Sequence, residues 1–388
     1  MSDLSIYIEL LKKGEELRSK SGTGSIGKSI QLFSGKEEEL KDIQIALIGL
    51  NEGRNSLENE GCGAGSWHIR EQLYQLYIST ENLKMLDLGD IRPGHSLEDT
   101  HFALEMTCSY LIERNIIPVI IGGPDHAGLA IYKAFCRLER MCNILHVDPI
   151  YDLGDVEQEL DSSNYLSKMI LHKPGFLFDY TNLAFQSYLV NTEMSKVMKN
   201  MLFNTMRLGE VNKSLLSTEP MIRNANLFSV DMRSVRKADS PGHAFPLPNG
   251  LYAEQLCQMA SFAGTNERMN CLAFFEYNPS YDDRAQSAQL IAQAIWCFID
   301  GFSRRQKEDV NADSSQFTRY RVNTKEDHEL IFYKSNVTER WWLEVPYPPT
   351  DGNRFKRAHI LPCAYEDYLA ACNHELPEIW LQTYQKLF

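Results

Sequence analysis

The chain has 388 residues, long enough for two to three domains or for one large α/β body with an appendage. Apolar residues make up 43% and aromatic residues 11%, so a sizeable core is available and a wholly disordered chain is excluded. Lys and Arg total 39 against 52 Asp and Glu, and the net charge of −13 argues against nucleic-acid binding as the main role. No apolar run reaches the ~18 residues of a membrane span. The first twenty residues mix charges with apolar residues at helical spacing, unlike a secretory leader. The nine cysteines form no CxxC pairs, which predicts reduced thiols in a cytoplasmic protein and neither a disulfide scaffold nor a cysteine-built zinc site.

Residues 1–39 read as a helical segment. Buried strands are predicted at 43–50, 84–88, 116–121, 143–147, 182–185, 226–230 and 271–275, with helical patterns between them, as at 97–114, 127–139 and 251–263. This alternation predicts a three-layer α/β/α body over 40–303 with a mostly parallel central sheet. Residues 304–317 are polar and read as a linker. Short strands at 318–322, 328–333 and 340–345 and one or two closing helices over 364–388 make a small α+β appendage, 318–388. Its Trp341, Trp342, Tyr347 and Phe355 form either an exposed contact face or the core of this small unit.

In a parallel sheet covered on both faces, ligands sit beyond the carboxyl ends of the strands. Each apolar run is therefore read together with the residues directly after it. After 116–121 comes Gly122-Gly123-Pro124-Asp125-His126, where the glycines permit a sharp turn and Asp125 can fix the tautomer of His126. After 143–147 come Asp148 and Asp152, two carboxylates able to converge on one cation. After 226–230 comes Asp231-Met232-Arg233, then Pro241-Gly242. After 271–275 comes Glu276-Tyr277-Asn278-Pro279-Ser280-Tyr281-Asp282. One acid at a strand end is an ordinary cap or solvated loop residue; acids or a histidine after four strands on one rim suggest a site.

Together these segments resemble the ureohydrolase family of arginase, agmatinase and formimidoylglutamase. That family carries an Asp-His after a Gly-Gly turn, an Asp-x-His-x-Asp, a Ser-x-Asp-x-Asp followed by Pro-Gly, and a Glu-x-Asn-Pro-x-x-Asp. The segments Gly63 to Arg70 and Asn249 to Glu254 resemble two further family turns. Ser162-Ser163-Asn164-Tyr165 and Asn182 to Ser187 are most similar to the formimidoylglutamase branch. The resemblance implies metal ligands His126, Asp148, Asp152 and Asp231, catalytic roles for Asp148 and Glu276, and substrate contacts from Glu276, Ser163 and Asn164. It also implies a homo-oligomer acting on a small amidine or guanidino compound.

The family holds two manganese ions bridged by a hydroxide that attacks the amidine carbon. Here two of the six ligand positions depart from the pattern: Ile150 stands for the histidine of Asp-x-His-x-Asp, and Arg233 for the last carboxylate of Asp-x-Asp. Both belong to the same ion, so at most one Mn²⁺ per chain is expected. Pro124 also interrupts the Gly-Gly-Asp-His order, which places the aim of His126 in question. Arg233 has three possible placements: beside one metal, alone bridging the acids, or turned to solvent. The sequence thus supports two readings, an amidine hydrolase with one metal site retained, or a pseudoenzyme that binds no cofactor and serves as a binding or scaffold protein.

Overall fold

In a computed structural model of the chain, the structure describes residues 4–78, 83–324, 329–347 and 358–388. Ten strands form the main sheet: β1 (Ile8–Glu9), β2 (Gln31–Leu32), β3 (Ile45–Leu50), β4 (Met85–Ile91), β5 (Ile117–Ile121), β6 (Cys142–Val147), β7 (Leu177–Phe185), β8 (Asn204–Arg207), β9 (Leu227–Asp231) and β10 (Cys271–Phe275). Their order is β1-β4-β3-β5-β10-β9-β6-β7-β8, with β2 also on β4. All pairings but the β1–β4 pair are parallel. The predicted α/β/α architecture is therefore the observed one.

Burial on both faces explains why the inner strands are continuous apolar runs. Alternate residues enter opposite core layers. Ile45, Leu47, Val119, Ile121, Leu272 and Phe274 pack in one layer; Ala46, Ile48, Ile120, Ala273 and Phe275 pack in the other. Helix Leu97–Glu113 begins where its sequence directs: the Ser96 hydroxyl accepts the Asp99 N–H, and the Asp99 carboxylate accepts the Ser96 N–H.

The N-terminal segment expected to be helical also supplies β1 and β2, two-residue strands too short to leave a pattern. Strand β8 is likewise absent from the predicted set. It is a short, polar edge strand, Asn-Thr-Met-Arg, whose residues alternate between half-buried and exposed.

The small sheet is antiparallel in the order β11 (Phe317–Asn323), β12 (Glu329–Ser335), β13 (Trp341–Pro346) and β14 (Ala358–Cys363), followed by helices Tyr365–Cys372 and Glu378–Leu387. Trp341 and Trp342 are core residues, not a contact face. Trp341 stacks on Tyr368 with ring centres 4.8 Å apart, and Trp342 packs with Val310, Phe317 and Ile360. Tyr347 is exposed, and Phe355 lies outside the described residues.

Cations fasten this unit to the main body. Arg223 donates to the Trp341 and Cys363 carbonyls at 3.1 and 3.3 Å, pairs with Glu219 at 3.0 Å, and lies over the Trp342 ring. Arg340 reaches back to Glu219 at 3.1 Å, and Lys386 Nζ contacts Asp179 on β7 at 2.5 Å. Removing the buried Arg223 strands two carbonyls and the Trp342 face. Arg223→Ala is expected to cost about 3 kcal/mol of stability in urea titrations and to speed proteolytic cleavage within 304–316.

Candidate metal centre

Strands β5, β10, β9 and β6 are consecutive neighbours, so the segments leaving their carboxyl ends, carrying Asp125, Glu276, Asp231 and Asp148, meet on one rim. Gly122 and Gly123 turn the chain at φ values of 80° and 78°, in the left-handed region that glycine enters freely. The turn delivers Asp125, not His126, to the rim.

Asp125, His146, Asp148 and Asp152 form the resulting group. Each offers one ligand atom, and these atoms lie within 4.8 Å of one another. All four residues are buried, and each has at least one side-chain atom without a hydrogen-bond partner: Asp125 Oδ1, His146 Nε2, Asp148 Oδ2 and both Asp152 oxygens. His146 Nε2 and Asp148 Oδ2 are 3.3 Å apart but are not aligned for a hydrogen bond. Buried carboxylates left in this state resist ionising together. Burial, then the charge of Asp148, pushes the Asp152 carboxyl well above its ordinary range. Burial, then Glu276, does the same to Asp125. At Asp148 burial acts upward too, but the His146 ring and the Arg233 guanidinium outweigh it and hold the carboxyl low. Orphaned oxygens in a dry, acidic pocket are the donor set of a divalent cation, so these residues fit one.

His126 is not in this group. Its Nε2 lies 2.9 Å from the Arg54 carbonyl and its Nδ1 3.0 Å from His101 Nε2. A carbonyl only accepts, so His126 carries its proton on Nε2, and His101 Nε2–H donates to His126 Nδ1. With both ring nitrogens engaged, buried His126, expected as a ligand, lies outside this group. The inserted Pro124 displaces it by one position.

Arg233 enters the acid cluster. Its Nη2 lies 3.1 Å from Asp231 Oδ2 and 3.7 Å from Asp148 Oδ1, and its backbone N–H donates to Asp231 Oδ1 at 2.6 Å. Burial disfavours the guanidinium charge, but Asp231, then Asp148, outweigh that and raise its pKa. Asp231, raised by burial and tempered by Arg233, sits at about 7. Both Asp231 oxygens are thus engaged by a single residue, Oδ1 by its backbone N–H and Oδ2 by its side chain. The Ile150 N–H donates to Asp148 Oδ1 at 2.9 Å, and its half-buried side chain lines the cavity above.

Glu276 is saturated. Oε2 accepts from Ser56 Oγ and Asn59 Nδ2 at 2.7 Å each, and Oε1 accepts from Ser162 Oγ at 2.9 Å and the Asp125 N–H at 3.1 Å. These four donors use the ~4 lone-pair directions of a carboxylate. The residue also holds a left-handed φ of 63°, an arrangement kept only where the surroundings enforce it. Glu276 is therefore a tie between the loops after β3, β5 and β6. Of the expected substrate contacts, Ser163 lines the cavity, with its hydroxyl donating to Asp161. Asn164 does not reach it; its amide closes its own loop on the Glu159 and Asp155 carbonyls. Asn278 and Asp282 likewise shape the next turn and cap helix Gln286–Ser303.

The cavity over the cluster measures about 60 Å³ and is walled by Leu57, Ile150, Arg233, His243 and Phe245. That is room for about two waters, against the ~300–1,000 Å³ of small-molecule sites.

A family model described as the Arginase family matches residues 43–300. The chain belongs to the arginase family. Its curated relatives include formimidoylglutamase from Staphylococcus aureus (strain bovine RF122 / ET3-1), 21% identical over 312 residues, covering 76% of this chain and 91% of the relative. Among solved structures, Trypanosoma cruzi formiminoglutamase with Mn²⁺ superposes with a TM-score of 0.64 at 22% identity, covering 71% of this chain and 97% of that one. Bacillus subtilis formimidoylglutamase gives 0.64 at 17% identity, covering 73% and 93%. The expected likeness to the formimidoylglutamases within the arginase family holds. The family match ends before β11, so the small sheet lies outside the matched residues. No helix among the described residues is long and apolar enough to cross a membrane, and the nine cysteines are all free.

Sequence reasoning missed His146, Ser56 and Asn59; it named Asp125 only as a partner of His126 and Ser162 only within a family-like segment. His146 had a signal: two residues before Asp148 on a strand, it points to the same face. Ser56 and Asn59 come after β3, a strand end the rim rule also covers.

Two consequences are measurable. Glu276→Ala leaves four donors without an acceptor and is expected to lower stability by about 3 kcal/mol in urea titrations. Burial, then His126, lowers His101 to about 3, and burial, then Arg268, lowers His359 to about 4. Below an unfolded value of about 6.5, each ring takes up a proton only on unfolding. The unfolded chain then binds more protons, so stability falls as pH drops. Between pH 6.5 and 5.5 the expected loss is about 1 kcal/mol for each ring, read from unfolding midpoints across that range.

Proposed function

We propose that this arginase-family chain does not perform two-metal hydrolysis of amidines, and that it serves as a binding or scaffold protein holding a single divalent cation in the carboxylate cluster. The observation that carries this reading is the Arg233 guanidinium on Asp231 and Asp148. By family resemblance the second ion shares those two aspartates. An ion bonded at about 2.1 Å to Asp231 Oδ2 would lie within about 5 Å of Arg233 Nη2. At an effective dielectric of 20, a divalent and a univalent cation at that distance repel by on the order of 7 kcal/mol. The acids offset part of this, but they also hold the guanidinium where it is.

Three observations support the reading. Ile150 brings no ligand atom from its side chain. Glu276, the residue that by resemblance orients a substrate amidine, is saturated by the protein's own donors. The cavity of about 60 Å³ is well below the ~300–1,000 Å³ of small-molecule sites. A second reading, a hydrolase working with one ion, draws on the orphaned ligand atoms beside that cavity. A Mn²⁺ bound there supplies Lewis acidity and a water of lowered pKa.

With excess Mn²⁺, the purified protein is expected to release no urea, ammonia or formamide from formimidoylglutamate or a panel of guanidino compounds. Elemental analysis of the Mn²⁺-loaded protein is expected to find one ion per chain. Product release, or two ions per chain, overturns the proposal. The double variant Ile150→His with Arg233→Asp is expected to gain one further ion per chain.

A further inference from the structure

We infer that the histidine ligand of this centre has moved: the cation is held by Asp125, Asp148 and Asp152 with His146 of strand β6, while His126 and Asp231 are withdrawn from it. The inference rests on the single-cation reading above and assigns its ligands.

The nearby histidines separate cleanly by what their nitrogens do. His126 and His101 are spent on each other and on the Arg54 carbonyl. His243 Nδ1 accepts the Phe245 N–H, and its Nε2 faces Glu276 at 4.0 Å. His146 alone among these four presents an unpartnered, buried nitrogen to Asp125, Asp148 and Asp152.

The other edge of the His146 ring prepares that nitrogen. Nδ1 lies 2.8 Å from Ser229 Oγ on the paired strand β9, in direct cross-strand register. With Nδ1–H donating to the serine, Nε2 keeps its lone pair, the state a metal requires. The Tyr165 ring meets the imidazole edge-on at 6.1 Å and helps hold its plane. The ring is 1% exposed, so its position is set by packing and not by solvent.

The aspartates exchange in the same way. Asp231 has Oδ1 on the Arg233 N–H and Oδ2 on the Arg233 side chain, and neither oxygen is orphaned. Asp125, delivered by the Pro124-shifted turn, has Oδ1 free. The centre therefore keeps three carboxylates and one imidazole, the same composition implied for the family's first ion, with two of the four positions exchanged. Opposite ligands on an ion with bonds of 2.0–2.3 Å stand about 4.5 Å apart, which the observed 4.8 Å limit accommodates. Three hard oxygens with one imidazole suit Mn²⁺ above softer ions.

The test compares Mn²⁺ binding by the full chain and by His146→Asn, His146→Gln and His126→Asn, using calorimetry and electron paramagnetic resonance. Asparagine reproduces the Nδ1 contact to Ser229 but not the Nε2 ligand; glutamine places an oxygen near Nε2. Wild type is expected to bind one Mn²⁺ with ¹⁴N modulation from the imidazole. His146→Asn is expected to lose that modulation and to bind more than about tenfold more weakly, His146→Gln to bind with intermediate affinity, and His126→Asn to bind as wild type. Thermal unfolding without metal reports whether each variant folds, and a misfolded His146→Asn leaves the wild-type modulation and the His126→Asn affinity to decide. One ion per chain without ¹⁴N modulation, or lost on His126→Asn, overturns this assignment alone. Two ions per chain overturns the single-cation reading, and no binding overturns both.

Discussion

A guanidinium clasped by two buried aspartates is the interaction around which this rim is organised. Arg233 neutralises charge that burial would otherwise force out, holding Asp148 low and using both oxygens of Asp231. It is a fixed, non-exchangeable cation on the chain's own backbone. Unlike a metal it offers no Lewis acidity and no open coordination position. Its charge opposes a second ion at the same carboxylates. The remaining acids, Asp125 and Asp152, make no ion pair with it and keep oxygens without a hydrogen-bond partner.

The surroundings conform to that choice. Glu276, in a left-handed backbone conformation, draws donors from Ser56, Asn59, Ser162 and the Asp125 N–H, so that three rim loops are tied to one carboxylate. The cavity above the rim tied in this way is small, about 60 Å³. The β11–β14 unit is fastened by its own Arg340 and Lys386, which reach carboxylates of the main body, and by main-body Arg223, which reaches two carbonyls and an aromatic face of the small sheet. Such directed contacts, several of them buried, give a fixed docking geometry.

The sequence by itself determined the layer architecture and where chemistry lies. Continuous apolar runs such as 116–121 and 271–275 admit only strands buried on both faces, and the acids after them fall on the carboxyl rim whatever the details of the loops. The departures at Ile150 and Arg233 are likewise visible in one dimension, because they interrupt motifs with fixed spacing. Strands β1, β2 and β8 were not legible, since two to four residues at a sheet edge carry no periodic signal and depend on β4 and β7 for their hydrogen bonds.

Only the tertiary structure decided which side chains face the centre. Whether Asp125 or His126 turns inward depends on two left-handed glycines and on His101, 25 residues away, supplying a partner for the ring. That Glu276 is saturated depends on a loop more than two hundred residues upstream. That Arg233 points inward, not to solvent, depends on the potential of four acids assembled from three strand ends. Side-chain aim is set by the summed packing and field of distant segments, and no local pattern encodes it.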